Sequence, residues 1–208
     1  KVDPDGAARA RERYSCFEHF GEDTQSYGYA TAFGIAESCE NEVVSQLTEL
    51  NRRATELANR DGRVAADEFF MVEMNARLVK NAEQYYRTMY RSNVSSWNLR
   101  DRHMVETLVS LEKHLSGDNK PAKVVVWEHN SHLGDARATE MGHRGEWNVG
   151  QLVRERHGRE CVNVGFTTYT GTVTAASDWG GIAERKRVRP GMEDSFELMF
   201  HEVGIPKF

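Results

Sequence analysis

The chain has 208 residues and a formal net charge of −5 at pH 7, so its composition does not predict a general nucleic-acid-binding surface. Hydrophobic residues make up 39% and charged residues 28%, as in a soluble globular protein. No apolar run approaches the ~20 residues that a transmembrane helix needs. No signal-peptide pattern opens the chain, so we expect a cytosolic protein without a membrane partner.

Three cysteines, Cys16, Cys39 and Cys161, lie far apart and form no C-x-x-C pair. This odd number and wide spacing predict neither a zinc ribbon nor a disulfide framework. We therefore expect buried, reduced thiols.

Apolar residues that recur at helical spacing predict three helices in the first half of the chain. Helix start and stop residues set their ends. The helices are residues 41–60, ended by Asp61 and Gly62, residues 65–91, and a third helix from a cap at Ser95 or Ser96 to Leu115, with Gly117 as its stop.

The sequence of the second half of the chain predicts two strands with a helix between them. Val124–Trp127 is an apolar, β-branched run typical of a buried strand. Residues 146–157 predict a helix that ends at Gly158, and residues 161–168 predict a second strand. The predicted fold class is α/β, with a small, mostly parallel sheet and long flanking helices. Ligands of such sheets bind beyond the carboxyl ends of the strands, which directs attention to the residues after Trp127.

The segment after the first predicted strand carries two imidazoles, His129 and His132, between the carboxylates of Glu128 and Asp135. Imidazole suits water activation because its pKa of about 6.5 allows proton transfer near neutral pH. Either carboxylate could orient a ring. Loop histidines bonded to backbone groups are the alternative, but a pair at this position favours a functional site.

The spacing of His129, His132 and Asp135 also permits a metal site if the loop curls, although it is less specific than H-E-x-x-H on a helix. We therefore prefer a site without a metal or other cofactor. No G-x-S-x-G motif is present, so a standard serine hydrolase is rejected.

Further candidates lie on the predicted helices. Arg100, beside Asp101, could clamp a carboxylate or polarise an oxygen, and a helix-surface ion pair is an equal alternative. Tyr86 could line a groove, although core packing is the more common role of such a residue. Residues 167–174 are threonine-rich and predict a strand or hairpin. The basic run 184–189 predicts a solvated segment or, less often, an anion-binding patch.

Several long stretches together resemble the erythromycin esterase family, whose members have also been labelled succinoglycan biosynthesis proteins. The resemblance covers nearly the whole chain in order. It is carried by RYSCFEHFGED (13–23), NAEQYYRTMY (81–90), SSWNLRDRHM (95–104), VVVWEHNSHLGDARATEMGHRGEWNVGQLVRERHG (124–158), VGFTTYTGTVTAASDW (164–179) and ERKRVRP (184–190).

The resemblance implies an α/β core with added helices, and hydrolysis of a macrolide lactone ester by an activated water without a covalent serine intermediate. The two histidines of the family's HNxH motif match His129 and His132. Its site arginine, in an N-x-R-D segment, matches Arg100, with Asp101 beside it. The family often has alanine before the first histidine, where this chain has Glu128.

The family also carries an N-terminal segment with a glutamate and a histidine proposed as the base, and nothing before Arg13 matches it. We also expect a C-terminal part of the family to lie beyond Phe208. We therefore expect residues 1–208 to be a single, incomplete domain, an internal part of the family's domain that could be inactive alone.

The sequence thus predicts a hydrolase of a small-molecule ester or lactone that needs no cofactor. The expected catalytic residues are His129, His132, Arg100 and Asp135, and the expected substrate-binding residues are Asn130, Glu128, Asp101 and Tyr86. Two alternatives stay open: a metal-dependent hydrolase that uses His129, His132 and Asp135, and a binding protein without catalysis.

Overall fold

The computed structural model describes residues 3–58, 63–116, 120–178 and 181–205. The chain divides into two compact units, Lys1–Asn163 and Val164–Phe208. None of the helices in these described ranges is both long enough and apolar enough to cross a membrane.

The first unit is built from helices. They are α1 (Pro4–Tyr14), α2 (Thr24–Ala32), α3 (Glu40–Arg52), α4 (Ala54–Ala58), α5 (Arg63–Met89), α6 (Asn93–Leu115), α7 (Asn130–Leu133), α8 (Glu140–His143) and α9 (Val149–His157), with short 3₁₀ turns at Ser15–Phe20, Ala136–Ala138 and Gly158–Glu160.

The longest helix, α5, is the centre of this unit and packs against α2, α3, α4 and α6. Small apolar side chains fill the contacts, among them the buried Val43, Ala76 and Val105. A buried carboxylate, Glu83 on α5, accepts a hydrogen bond from the hydroxyl of Tyr27 at 2.8 Å. Polar groups are tolerated in such a core only when they are paired in this way.

The expectation of reduced thiols is wrong for two of the three cysteines. Cys16 and Cys39 form a disulfide, with Cα atoms 6.0 Å apart. The turn and helix between them fold back, and the backbone N–H of Cys39 donates to the hydroxyl of Tyr27 at 2.9 Å. Cys161 is a free, half-buried thiol. Sequence spacing could not reveal this pairing, because the fold and not the chain brings the two cysteines together.

The three predicted long helices are present with shifted ends. The first ends at Arg52 and is followed by α4, so residues 41–60 are not one helix; Asp61, Gly62 and Gly117 lie outside the described residues. The third helix starts earlier than predicted because its cap is Ser92, whose hydroxyl accepts from the N–H of Ser95 at 3.2 Å. A cap at Ser92 adds one turn to the amino end of α6.

The predicted α/β fold with a mostly parallel sheet is wrong. The described residues are mostly helical, and their one sheet is an antiparallel pair. Val124–Trp127 forms no strand: Val125 is 92% and Trp127 83% exposed. Residues 161–168 also form no strand, and Val162 is 83% exposed. β-Branched side chains favour an extended backbone, but a strand also requires a hydrogen-bonded neighbour.

The second unit contains a β-hairpin and one helix. Strand β1 (Gly171–Ala175) pairs antiparallel with β2 (Glu184–Val188), with Gly171 opposite Val188 and Ala175 opposite Glu184. The second half of the threonine-rich segment 167–174 is therefore a strand, whereas residues 167–170 are not, and most of the basic run forms the partner strand. Helix α10 (Phe196–Glu202) follows.

Helix α9 starts against the end of α7 because Gly150 allows a close approach. A methyl group on Gly150 would overlap the backbone carbonyl oxygens of Leu133 and Gly134. The predicted helix 146–157 begins here at Val149 because the side chain of Asn148 caps it, accepting from the N–H of Gln151 at 3.0 Å. This contact places the amino end of α9 beside the histidine segment.

We predict that Gly150→Ala lowers the free energy of unfolding by about 1–3 kcal/mol, since the added methyl group forces α9 away from α7. Urea unfolding of the whole chain measures this change. Gly134→Ala is the control, because its methyl group would lie 3.5 Å from the carbonyl oxygen of Asn130, an ordinary contact. Equal stability of the two variants would contradict the close packing.

Candidate active site

The first turns of α6 present three functional side chains on one face. Trp97, Arg100 and Asp101 are three and four residues apart, which places them side by side on a helix. The Asp101 side chain is fully buried, while that of Arg100 is 34% exposed. This face therefore offers a buried anion next to a partly exposed cation.

His132, on the short helix α7, is bonded to this face. Its Nδ1 lies 2.9 Å from Oδ2 of Asp101, and the same oxygen accepts the backbone N–H of Val149 at 3.1 Å. Asp101 thus ties α6 to α7 and to the start of α9. Burial raises the pKa of Asp101, against the opposing effects of His132, the Val149 N–H and Arg100.

An indole supports the imidazole from its face. The rings of Trp97 and His132 are stacked, with centroids 4.7 Å apart and planes 5° from parallel. The guanidinium of Arg100 lies over the same indole, 4.6 Å from its centroid. The Trp97 ring is itself fixed, because its Nε1–H donates to the carbonyl oxygen of Trp147 at 2.7 Å. The indole thus holds His132 and Arg100 beside each other.

The hydrogen bonds of His132 determine which nitrogen carries its proton. Nη2 of Arg100 lies 3.3 Å from Nε2 of His132. Because a guanidinium only donates, Nε2 must be the acceptor of this contact. These contacts assign the proton of a neutral His132 ring to Nδ1, which donates to Asp101, and leave a lone pair on Nε2, as a general base requires.

Two asparagines, which the sequence analysis did not select, hold the loop that brings α9 to this cluster. Asn98 accepts the N–H of Trp147 at 2.9 Å and donates to the carbonyl oxygen of Gly145 at 2.9 Å. Asn148, 1% exposed, donates to the carbonyl oxygen of Ser131 at 2.9 Å. The position of Asn148 directly before the helix Val149–His157 was the available signal, since asparagine is a preferred cap.

Glu128 lies close enough to His132 and Asp101 to interact electrostatically with both. Its Oε2 is buried and has no hydrogen-bond partner among the described residues. Burial raises the pKa of its carboxyl, His132 lowers it, and the negative charge of Asp101 raises it again. Nε of Arg100 and Oδ1 of Asp101 are likewise buried without hydrogen-bond partners in the described part of the chain, although the two atoms lie 4.0 Å from each other. The cluster therefore has unused hydrogen-bonding capacity.

His129 has a different position from His132. Its ring is at the surface and begins α7: Nδ1 accepts the backbone N–H of Ser131 at 3.2 Å. Asn130, next to it, is also exposed. Since Nδ1 is an acceptor, a neutral His129 ring carries its proton on Nε2. The ring is therefore a surface donor on the segment that holds His132.

Two predicted residues are engaged elsewhere. Asp135 accepts hydrogen bonds from Arg137 at 2.6 and 2.9 Å, and this pairing lowers its pKa. Tyr86 makes an edge contact with the ring of Tyr85 at 5.2 Å, and its backbone carbonyl abuts Gly28 of α2. The structure thus brings together Arg100, Asp101, Glu128 and His132, but neither Asp135 nor Tyr86 is among their contacts.

The metal-site alternative receives no support from this arrangement. In the ranges that the structure describes, no group of three His, Cys, Asp or Glu side chains is placed to hold a metal ion. The carboxylate of Asp135 binds Arg137, with Arg154 3.6 Å away, instead of the two histidines. The H-x-x-H-x-x-D spacing is therefore not a ligand set in this conformation.

We predict that Glu128→Gln gains stability over the wild type as the pH rises. With its pKa raised by burial, folded Glu128 holds its proton more tightly than in the unfolded chain. The wild type therefore loses stability as the pH rises from the ordinary glutamate pKa toward the raised one. Urea unfolding at several pH values measures the difference. Glu160→Gln, at an exposed position, is the control. If the stability difference between Glu128→Gln and the wild type changes with pH no more steeply than the difference for Glu160→Gln, the burial of Glu128 is contradicted.

Comparison with known proteins gives the chain a family. The family model described as erythromycin esterase matches residues 1–208. No solved structure matches the chain. This match agrees with the resemblance drawn from the sequence motifs, and it indicates a hydrolase. The chain belongs to the erythromycin esterase family.

Proposed function

We propose that this protein hydrolyses carboxylic esters, with His132 as the base that activates water. The observation that carries the proposal is the continuous chain of contacts from Asp101 through His132 to Arg100. Asp101 binds the ring proton on Nδ1, and the lone pair on Nε2 faces the guanidinium of Arg100, whose side chain is 34% exposed. A buried carboxylate that orients an imidazole in this way also stabilises the imidazolium formed during proton transfer.

Arg100 supplies the complementary electrostatic role. Attack of hydroxide on an ester carbonyl generates an oxyanion, and a guanidinium is a strong donor to such a charge. In the structure this donor faces Nε2 of His132. A substrate oxygen would therefore exchange with Nε2 as the partner of Arg100, which frees the lone pair to accept a proton from water. Substrate binding and activation of the base are then one event.

His129 and Asn130 fit the role of substrate contacts. Both are exposed at the start of α7, and the Nε2–H of a neutral His129 ring is a donor available to a ligand. We propose that they bind the substrate beside the scissile bond while His132 acts on water.

The family resemblance points to a macrolide lactone as the substrate, a cyclic ester that this chemistry would open. The site itself recognises the ester group, through a base and an oxyanion donor. The carboxyl of Glu128, where the family often has alanine, changes the polarity next to the base. We therefore propose ester hydrolysis as the activity and place lactones among the esters to be assayed.

The test is hydrolysis of an activated ester and of a macrolide lactone by the full chain and its variants. We expect His132→Ala to lower kcat by about 10²–10⁴-fold, the usual contribution of a general base. Arg100→Ala should lose about 10²–10³-fold in kcat, because the oxyanion then lacks its proposed donor. Asp101→Asn should lower kcat with little change in KM, since it changes the ring tautomer and not the binding surface.

His143→Ala is the matched control, because His143 is exposed on α8, outside the cluster. It should keep the wild-type rate. Wild-type rates in His132→Ala and Arg100→Ala would refute the proposed roles. Binding of the lactone without turnover by the wild type would favour the alternative of a binding protein without catalysis.

A further inference from the structure

The proposed base, His132, and the proposed oxyanion donor, Arg100, leave the carboxyl of Glu128 without an assigned function. It lies next to the Asp101–His132 pair, yet it makes no ion pair within the described residues, and its Oε2 is buried without a hydrogen-bond partner. An ionised carboxylate with a buried, unpaired oxygen is costly. A protonated carboxyl in the same place costs less and is a hydrogen-bond donor.

The two carboxyl groups of the cluster differ in the hydrogen bonds that they receive. Asp101 receives the ring proton of His132 and the N–H of Val149, both at Oδ2. Glu128 receives no such donor at Oε2 and lies near the negative charge of Asp101. When neighbouring carboxyl groups differ in this way, one serves as the anion and the other as the acid. Burial raises the pKa of Glu128 against the opposing effect of His132, and this acts in the same direction.

We propose that Glu128 is the general acid that protonates the leaving alcohol during ester hydrolysis. This inference rests on the proposed function. It assigns the second proton transfer of the reaction, which is needed because an unactivated alkoxide is a poor leaving group. His132 handles the proton of the attacking water, and its Nδ1 is committed to Asp101.

The proton transfers of the proposed hydrolysis balance over one catalytic cycle. Nε2 of His132 takes a proton from water as the water oxygen bonds to the carbonyl carbon, giving an imidazolium and a tetrahedral oxyanion beside Arg100. The bond from carbon to the alcohol oxygen then breaks as Glu128 gives its proton to that oxygen. The products are a carboxylic acid and an alcohol. The imidazolium returns a proton to the Glu128 carboxylate, directly or through water, and both groups regain their starting states.

The experiment compares two esters of the same acid, one with 4-nitrophenol and one with ethanol as the leaving group, in the full chain. 4-Nitrophenolate is a good leaving group that needs no proton, whereas ethoxide is a poor one that must be protonated as it leaves. We expect Glu128→Gln to lose about 10²-fold or more in kcat on the ethyl ester, and to stay near the wild-type rate on the 4-nitrophenyl ester. His132→Ala should lose activity on both esters, and Glu160→Gln, the exposed control, on neither.

The outcomes separate this inference from the proposed function. An equal loss on both esters in Glu128→Gln, or no loss on either, overturns the general-acid role. A wild type that cleaves the 4-nitrophenyl ester but not the ethyl ester overturns it as well. A wild type inactive on both esters, or His132→Ala active on both, overturns the proposed function itself. Recovery of ethyl ester hydrolysis in Glu128→Ala on addition of acetic acid would support the proton-donor role over a steric one.

Discussion

The hydrogen bond between Oδ2 of Asp101 and Nδ1 of His132 is the contact on which the rest of the site depends. It joins two segments 31 residues apart and buries a carboxylate completely. Burial of such a charge is tolerated only when partners replace water. His132 and the Val149 N–H are those partners, and the guanidinium of Arg100 lies 4.0 Å away. Loss of the imidazole would therefore leave a buried anion short of a donor.

The surrounding residues hold Asp101 and His132 in the positions that this hydrogen bond requires. Trp97 stacks on the imidazole and is fixed by Trp147, while Asn148 connects the segment of His132 to the start of α9. Gly150 allows α9 to come close enough for Val149 to donate to Asp101. A positioned imidazole needs such support, because a base that can rotate loses the alignment on which proton transfer depends. The cluster is hydrogen-bonded around the buried Asp101, and the partly exposed Arg100 lies beside it.

The sequence predicted the helices better than the fold class. Long amphipathic periods located α5 and α6, because a helix satisfies its own backbone and needs only one apolar face. The apolar runs at 124–127 and 161–168 predicted strands that the structure does not form, since a strand depends on a partner that local sequence cannot specify. The Cys16–Cys39 disulfide was missed for the same reason: it is a property of the tertiary structure.

The candidate site was partly predictable. Arg100, Asp101, Glu128 and His132 were selected from motif spacing and family resemblance, and the structure places all four in one cluster. Local sequence could not reveal that Asp101, not Asp135, holds the imidazole, because that choice depends on where the fold places α7 relative to α6. The role of Trp97 was beyond reach, since it arises only from contacts between distant segments. Asn148 could be recognised as a helix cap, but its bond to the segment of His132 could not be predicted.

The most direct test of the account is the tautomer of His132, read from the nitrogen-15 chemical shifts of its ring in the wild-type protein near neutral pH. The resonance is assigned with the His132→Ala variant. The account predicts a proton on Nδ1, protected from exchange by Asp101, and an unprotonated Nε2. A ring protonated on Nε2, or one whose Nδ1 proton exchanges as freely as in an exposed histidine, would contradict it.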